Sequence, residues 1–234
     1  MKFNINCDLG EGMSNDKELM PYINECNIAC GGHFGNLNTI IQTIQLAKKH
    51  NVLVGAHPSF PDKENFGRKN ITISDVDLAQ SLHEQISLFL SACSQLAIKM
   101  NHIKLHGALY NLSCNDAKIA QLVLDVYLQF DHKFKLFVPY QSVIAQLAQK
   151  KFKLSYEAFI DRRYNDDLSL VNRKHKNAII KNPKNACEQV KSIYSGHLTT
   201  LNGHHTKIKA DTFCLHGDNP KALELAQYLQ KQCQ

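Results

Sequence analysis

The chain has 234 residues, of which 44% are hydrophobic and 21% are charged. This composition supplies a full-sized apolar core and excludes a disordered protein. The net charge of +6 does not indicate a nucleic-acid partner, because lysines and acidic residues are interleaved along the whole sequence without an aromatic pattern. No Pro/Gly/Ser-rich linker divides the chain, so we expect one barrel domain over 1–234.

The cellular location is predicted from segments that the sequence lacks. No run approaches the roughly 18 apolar residues needed to span a membrane, and the N-terminus has no apolar signal region. The eight cysteines are dispersed along a chain that is long enough to fold without disulfides, which favours reduced thiols. The sequence therefore predicts a cytoplasmic protein with no membrane partner.

Short runs typical of strands alternate with stretches of helical period, which indicates βα units and a parallel sheet. Between the strands, apolar residues at helical spacing predict helices over 37–50, 75–98 and 183–194. The segment GHLTTLNG is predicted to be a hairpin or a loop. Seven strands are predicted, at 2–8, 24–30, 52–57, 101–106, 134–138, 153–158 and 211–216.

Two helix starts carry recognisable capping residues. Ser74 and Asp77 are spaced as a capping box for the helix that follows. Asn219 followed by Pro220 predicts an N-cap and a first-turn proline for a last helix that ends near 232.

Polar side chains that can take part in catalysis or binding follow the predicted strands, at the point where each strand ends. In a closed barrel of parallel strands these positions meet at a single mouth, where barrel enzymes hold their active sites. The sequence therefore predicts an enzyme with its site at this mouth. The residues in these junctions are Asp8, His33, His57, Lys104, His106, Glu157, Asp161, Arg162, Arg163, His216 and Asp218.

The residue types in these junctions indicate hydrolysis of a small acidic substrate. Neutral imidazoles can ligate a metal or exchange protons near neutral pH, and four histidines occupy equivalent positions after strands. Arginine is rare here, at positions 68, 162, 163 and 173 only, which favours recognition of carboxylate or phosphate at those positions. Cations would anchor the substrate, and a carboxylate or histidine would activate water.

Six motifs resemble the LamB/YcsF lactam-utilisation family in order and approximate spacing: CDLGEG, NIACGGH, GAHPSFPD with FGR, KLHGALYN, EAFIDRRY and CLHGDNP. The resemblance covers essentially the whole chain. Three motifs depart from the family pattern. Phe34 and Asn36 replace the alanine and the aspartate of HAGD, Lys69 replaces the second arginine of FGRR, and the glycine usual after DRRY is absent.

The resemblance implies a TIM-like α/β barrel of about seven βα units, similar to the glycoside hydrolase/deacetylase superfamily. It also implies ATP-dependent opening of 5-oxo-L-proline to L-glutamate, together with two partner subunits, B and C. ATP would be the co-substrate, because a five-membered lactam is an unstrained amide that water attacks slowly. Neither a Gly-x-x-x-x-Gly-Lys-Ser/Thr nor a Gly-x-Gly-x-x-Gly motif occurs, so we expect the partners to carry out most of the activation by ATP.

On this hypothesis the candidate residues fall into two groups. Lys104 and His106 would stabilise the developing oxyanion, and Asp8 or Glu157 would orient water. The substrate or phosphate group comprises Arg68, Arg162, Arg163, His216 and Asp218. The catalytic group comprises Asp8, His57, Lys104, His106, Glu157 and Asp161.

Two alternatives remain open at this point. Asp8, His33 and His57 resemble an Asp-His-His metal triad, so a divalent metal could make the chain a deacetylase or amidohydrolase that needs no ATP. The chain could also be a non-catalytic subunit that only presents substrate to its partners.

Overall fold

Seven parallel strands form a closed barrel in the computed structural model, which describes residues 3–131 and 133–233 without the side chain of Cys233. The barrel strands are β1 (Ile5–Leu9), β2 (Glu25–Ala29), β3 (Leu53–His57), β4 (His102–Lys104), β5 (Lys135–Pro139) and β6 (Lys153–Phe159), followed after a hairpin by β9 (Thr212–His216). The hairpin strands are β7 (His197–Thr199) and β8 (His205–Lys207).

The barrel closes because β9 pairs with both β1 and β6. The other neighbours follow chain order, each pair parallel. The predicted TIM-like barrel of about seven βα units is confirmed, and of the two outcomes predicted for GHLTTLNG, a hairpin or a loop, the structure has the hairpin. The predicted start of the first strand at Lys2 lies outside the described residues.

Eight α-helices surround the barrel among the described residues. The four that the sequence predicts are α2 (Leu37–Lys49), α3 (Asp75–Gln95), α7 (Pro183–Tyr194) and α8 (Ala222–Cys233). Those not predicted are α1 (Asp16–Leu19), α4 (Gly107–Ser113), α5 (Ala117–Tyr127) and α6 (Val143–Ala148). No helix in 3–131 or 133–233 is long and apolar enough to cross a bilayer.

The two predicted caps have different outcomes. Ser74 caps α3, since its hydroxyl oxygen accepts a hydrogen bond from the Asp77 backbone N–H at 3.1 Å. The predicted start of the last helix at Asn219 is wrong, because α8 begins at Ala222. Asn219 still has a capping contact in the turn that precedes the helix, because its side-chain oxygen accepts from the Lys221 backbone N–H at 2.9 Å, while its amide donates to the buried Asp161 carboxylate at 2.9 Å.

The barrel interior and the layer between strands and helices form the apolar core. Strands β1 and β2 are buried at every position, as expected for parallel strands that pack side chains on both faces. Helix α2 turns the fully buried Ile40, Ile44 and Ala47 toward the sheet. This packing fixes the strand ends, and therefore the side chains that they carry.

Asn36, a departure from the family pattern, has a structural role. It is the N-cap of α2, where its side-chain oxygen accepts from the backbone N–H groups of Asn38 and Thr39. Because aspartate caps as well as asparagine does, we expect Asn36→Asp to change the free energy of unfolding by less than about 0.5 kcal/mol. Asn36→Ala should cost about 1 kcal/mol. Urea denaturation of both variants measures this difference, and equal losses would contradict the capping role.

Candidate active site at the barrel mouth

A cavity of about 770 Å³ opens where the barrel strands end. Strands β1, β3, β4, β6 and β9 each contribute a polar side chain to its wall. Parallel strands bring their carboxyl ends to one rim, so residues far apart in sequence meet there. The structure brings together nine of the predicted residues in this wall: Asp8, His57, Arg68, Lys104, His106, Glu157, Arg162, His216 and Asp218.

Lys104 lies between two carboxylates and is almost fully buried. Its Nζ is 2.8 Å from Asp8 Oδ1 and 3.0 Å from Glu157 Oε1, and its side chain is 2% exposed. Burial disfavours the ammonium form, but Asp8 and Glu157 outweigh burial and raise the pKa of Lys104 well above its usual value. Tyr110 donates to Glu157 Oε2 at 2.7 Å. The site therefore holds a fixed positive charge at neutral pH.

The two oxygens of Asp8 have different environments. Oδ1 accepts from Lys104 Nζ and, at 2.7 Å, from Asn27 Nδ2. Oδ2 lies 3.5 Å from His57 Nε2. Burial alone would raise the pKa of the Asp8 carboxyl, but His57 and Lys104 outweigh it and hold that pKa well below its usual value. Asp8 is thus an oriented carboxylate whose Oδ2 is the less engaged oxygen.

The protonation of two cavity histidines follows from their backbone partners. His57 Nδ1 lies 2.8 Å from the Lys104 carbonyl oxygen, and His106 Nε2 lies 2.9 Å from the Phe66 carbonyl oxygen. A carbonyl oxygen only accepts, so both of these nitrogens carry protons. The other nitrogens, His57 Nε2 and His106 Nδ1, face each other at 3.0 Å. Burial, His33 and His57 lower the pKa of His106 well below its usual value.

Glu11 is a residue of this site that the sequence analysis did not select. Its Oε1 lies 3.0 Å from His33 Nε2 and 3.3 Å from His106 Nδ1. Gly10 and Gly12 flank it with φ of +70° and +82°, so the chain turns sharply just after β1 and places Glu11 beside the histidines. The signal was present in CDLGEG, as a second acidic residue between two glycines.

A cationic side of the cavity is formed by arginines. Arg162 is 6% exposed and donates from Nη2 to the Val171 carbonyl at 2.7 Å, while its buried Nε has no hydrogen-bond partner among the described residues. Burial, together with the nearby Arg173, lowers the pKa of Arg162 to about 10, so the guanidinium remains charged at neutral pH. Arg162 can therefore donate to an anion in the cavity.

Asp218 organises the two other arginines in the cavity wall. Its Oδ2 accepts from Arg68 Nη2 at 2.6 Å and from Arg173 Nη1 at 2.9 Å. Burial opposes the charged form, but Arg173, His216 and Arg68 together outweigh it and lower the pKa of Asp218. The carboxylate is thus a partner of the arginines, and Arg173 joins the cavity wall, as the rarity of arginine in the sequence indicated, although it was not placed in the predicted substrate group.

The expectation that Arg163 shares the cavity is wrong. Arg162 pairs with Ile179 in an antiparallel bridge, and neighbouring residues of an extended chain point to opposite sides. Arg162 thus lines the cavity, whereas Arg163 lines a separate surface depression beside Lys176 and Lys181.

Asp161 and His33 lie behind the cavity wall. Asp161 is 1% exposed and accepts from His216 Nδ1 at 2.7 Å, so it orients that imidazole. His33 is also 1% exposed, and its ring stacks on His106 with centroids 3.7 Å apart. Both residues support side chains that line the cavity.

Several side chains could together hold a metal ion, in combinations that differ from the predicted one. The predicted set of Asp8, His33 and His57 does not form one of the metal-compatible groups found among residues 3–131 and 133–233. The reason is that His33 Nε2 turns toward Glu11. Groups whose ligand atoms lie within 4.8 Å of one another include Asp8–His57–His106, Glu11–His33–His106 and Asp8–Cys214–His216.

Comparison with known proteins decides the family. Residues 3–234 match the model of the LamB/YcsF family. The chain belongs to the LamB/YcsF family. This LamB/YcsF chain is 36% identical to the A subunit of 5-oxoprolinase from Pyrococcus abyssi, an alignment that covers 99% of the chain and 93% of the relative. It is 37% identical to the 5-oxoprolinase A subunit from a strain of Staphylococcus aureus, over 95% of the chain and 92% of the relative.

A solved structure supports the same assignment. The crystal structure of a lactam utilization protein from Thermus thermophilus is similar to this LamB/YcsF chain, with a TM-score of 0.90 and 30% sequence identity. The similarity covers 99% of the chain and 97% of that structure. The two chains therefore share the barrel, and the six motifs of this chain include most of the residues in the cavity wall described above.

Proposed function

We propose that the chain is the A subunit of a 5-oxoprolinase and that residues 1–234 work as one barrel domain that opens 5-oxo-L-proline to L-glutamate. The observation that carries the proposal is the cavity itself, which combines the ion-paired Lys104, the carboxylate of Asp8 and the spare donors of Arg162. A small lactam acid needs this combination: a cation for its carboxylate and a polar group for its ring carbonyl. The names of the relatives point to the same substrate.

We assign ATP-dependent activation to the two partner subunits, B and C, because this chain has no phosphate-loop motif. Phosphorylation of the lactam oxygen turns a poor electrophile into one that water attacks readily. Water then adds to the ring carbon, the C–N bond breaks and the nitrogen takes a proton. A second water hydrolyses the resulting acyl phosphate to glutamate and phosphate. We place the reaction in the cytoplasm, where the free cysteines of the described residues stay reduced.

Each step has candidate residues in the cavity wall. Arg162 binds the carboxylate or the phosphoryl group. Lys104 stabilises negative charge on the oxygen of the ring carbon, and Asp8 Oδ2 orients the attacking water. His216, held by Asp161, is placed to protonate the departing nitrogen.

The experiment that tests this function measures glutamate release from 5-oxo-L-proline and ATP. We expect release by the chain together with both partner subunits and none by the chain alone. ATP hydrolysis without glutamate release by the complete complex would contradict the proposal. If the chain only presented substrate to its partners, cavity variants that assemble normally would keep normal turnover. The variants described below test this alternative.

The different positions of the two adjacent arginines give a matched pair of variants. We expect Arg162→Lys to lower kcat/KM for 5-oxo-L-proline by about 10- to 100-fold, because lysine loses the forked donor geometry. Arg163→Lys should stay within about twofold of the wild type, as a surface change away from the cavity. Steady-state kinetics of the reconstituted complex measures both. Equal effects of the two changes would remove Arg162 from the substrate site.

A further inference from the structure

Three ligand-type atoms converge on one point of the cavity wall. His57 Nε2 lies 3.0 Å from His106 Nδ1, and Glu11 Oε1 lies 3.3 Å from His106 Nδ1 and 3.9 Å from His57 Nε2. Zinc binds nitrogen and oxygen at about 2.0–2.2 Å, so the edges of a tetrahedral site are about 3.4 Å long. The three separations bracket that length.

The hydrogen bonds behind these atoms leave their lone pairs facing inward. His57 gives its Nδ1 proton to the Lys104 carbonyl, and His106 gives its Nε2 proton to the Phe66 carbonyl. In neutral rings, His57 Nε2 and His106 Nδ1 are then both acceptors, and two acceptors at 3.0 Å repel unless a cation lies between them. Metal-ligating histidines typically donate their second N–H to a carbonyl in this way.

The surrounding charges also suit a divalent cation. Glu11 brings a carboxylate that is 7% exposed, and His33 supports it by donating from Nε2 at 3.0 Å. Asp8 Oδ2 lies 3.5 Å from His57 Nε2, and the ligand atoms of Asp8, His57 and His106 lie within 4.8 Å of one another, so a second carboxylate adjoins the same imidazoles. The Lys104 ammonium engages the other oxygen of Asp8, Oδ1. Glu11, His57 and His106 all line the cavity, so an ion held there would be reachable by a small molecule.

We infer that Glu11, His57 and His106 form a binding site for one divalent transition-metal ion of the zinc class, with Asp8 beside its remaining side. Two histidines and one carboxylate are a donor set that binds Zn²⁺ and related ions and leaves a position free. The site differs from the set predicted from sequence, in which Asp8 and His33 were ligands. The inference stands on these atoms and does not depend on the lactam chemistry proposed above.

The test is metal binding by the full chain without substrate or partner subunits. The chelator-stripped protein is titrated with Co²⁺, followed by its visible absorption, and then with Zn²⁺ as competitor. We expect one equivalent per chain, absorption bands of a four- or five-coordinate ion, and displacement by Zn²⁺. Zn²⁺ should also raise the thermal midpoint of the wild type.

Variants then assign the ligands. Glu11→Gln should weaken Co²⁺ binding by about 100-fold or more, and His33→Asn by about 10-fold through its support of Glu11. His50→Asn, at an exposed histidine outside the site, is the matched control and should bind as the wild type does. The titration of the wild-type chain does not depend on whether any variant folds. If the two histidines merely share a proton, the wild-type chain will not bind Co²⁺ stoichiometrically, and that result would overturn the inference. Normal Co²⁺ binding by Glu11→Gln would also overturn it.

Discussion

Replacement of Lys104 by methionine is expected to reduce turnover of 5-oxo-L-proline by about 100- to 1,000-fold. This is the loss typical for removal of a donor that stabilises an oxyanion. The same change should lower the free energy of unfolding by about 3–5 kcal/mol, because it leaves the buried carboxylates of Asp8 and Glu157 without their common cation. It should also raise the pKa of Asp8. Glutamate release by the reconstituted complex measures the first effect, and urea denaturation measures the second.

Lys99→Met is the matched control for this prediction, since Lys99 is exposed and lies on the same stretch of chain before β4. It should alter stability by less than about 0.5 kcal/mol and leave turnover unchanged. A Lys104→Met chain with the stability of the wild type would show that the two carboxylates are protonated or solvated, contrary to the ion-paired arrangement described above.

Replacement of Asp8 by asparagine is expected to reduce turnover by about 100- to 10,000-fold, the range of contributions from positioned acid–base groups. The variant keeps the shape of the side chain and its place beside Asn27, but loses the charge of the oxygen that orients water. We expect the KM for 5-oxo-L-proline to change much less than kcat, because substrate anchoring is assigned to Arg162. Steady-state kinetics of the complex separates the two parameters.

The control for this variant is Asp125→Asn, which makes the same chemical change at an exposed position on α5. It should leave kcat and KM as they are in the wild type. Circular dichroism and assembly with the partner subunits should be normal for both variants. Unchanged turnover by an Asp8→Asn complex would rule out a catalytic role of Asp8. It would favour the alternative that the chain only presents substrate to its partners.

Much of this arrangement could be predicted because parallel strands impose a simple rule on their ends. An apolar run followed by a polar residue places that residue at the rim, and Asp8, His57, Lys104 and His216 obey this rule. The burial of β1 and β2 on both faces is consistent with the apolar runs from which these strands were predicted. Short helices such as α4 and α6 lack the length at which a helical period becomes visible.

The remaining site residues depend on side-chain direction, which sequence spacing does not determine. Glu11 enters the site through a turn with two positive φ angles, beyond the end of β1. Asn27 sits inside β2, where a polar residue resembles any other interruption of an apolar run, and only the barrel shows that it donates to Asp8. Adjacent arginines look equivalent in sequence, but the extended chain sends Arg162 into the cavity and Arg163 away from it.

We assign the opening of the lactam ring to the cavity at the barrel mouth of this chain. The most direct measurement is a crystal structure of the Asp8→Asn chain assembled with its partner subunits, 5-oxo-L-proline and ATP. We expect the lactam or its phosphorylated form in the 770 Å³ cavity, with its anionic group on Arg162 and its ring oxygen toward Lys104. A lactam bound only in the partner subunits, with this cavity free of it, would contradict this assignment.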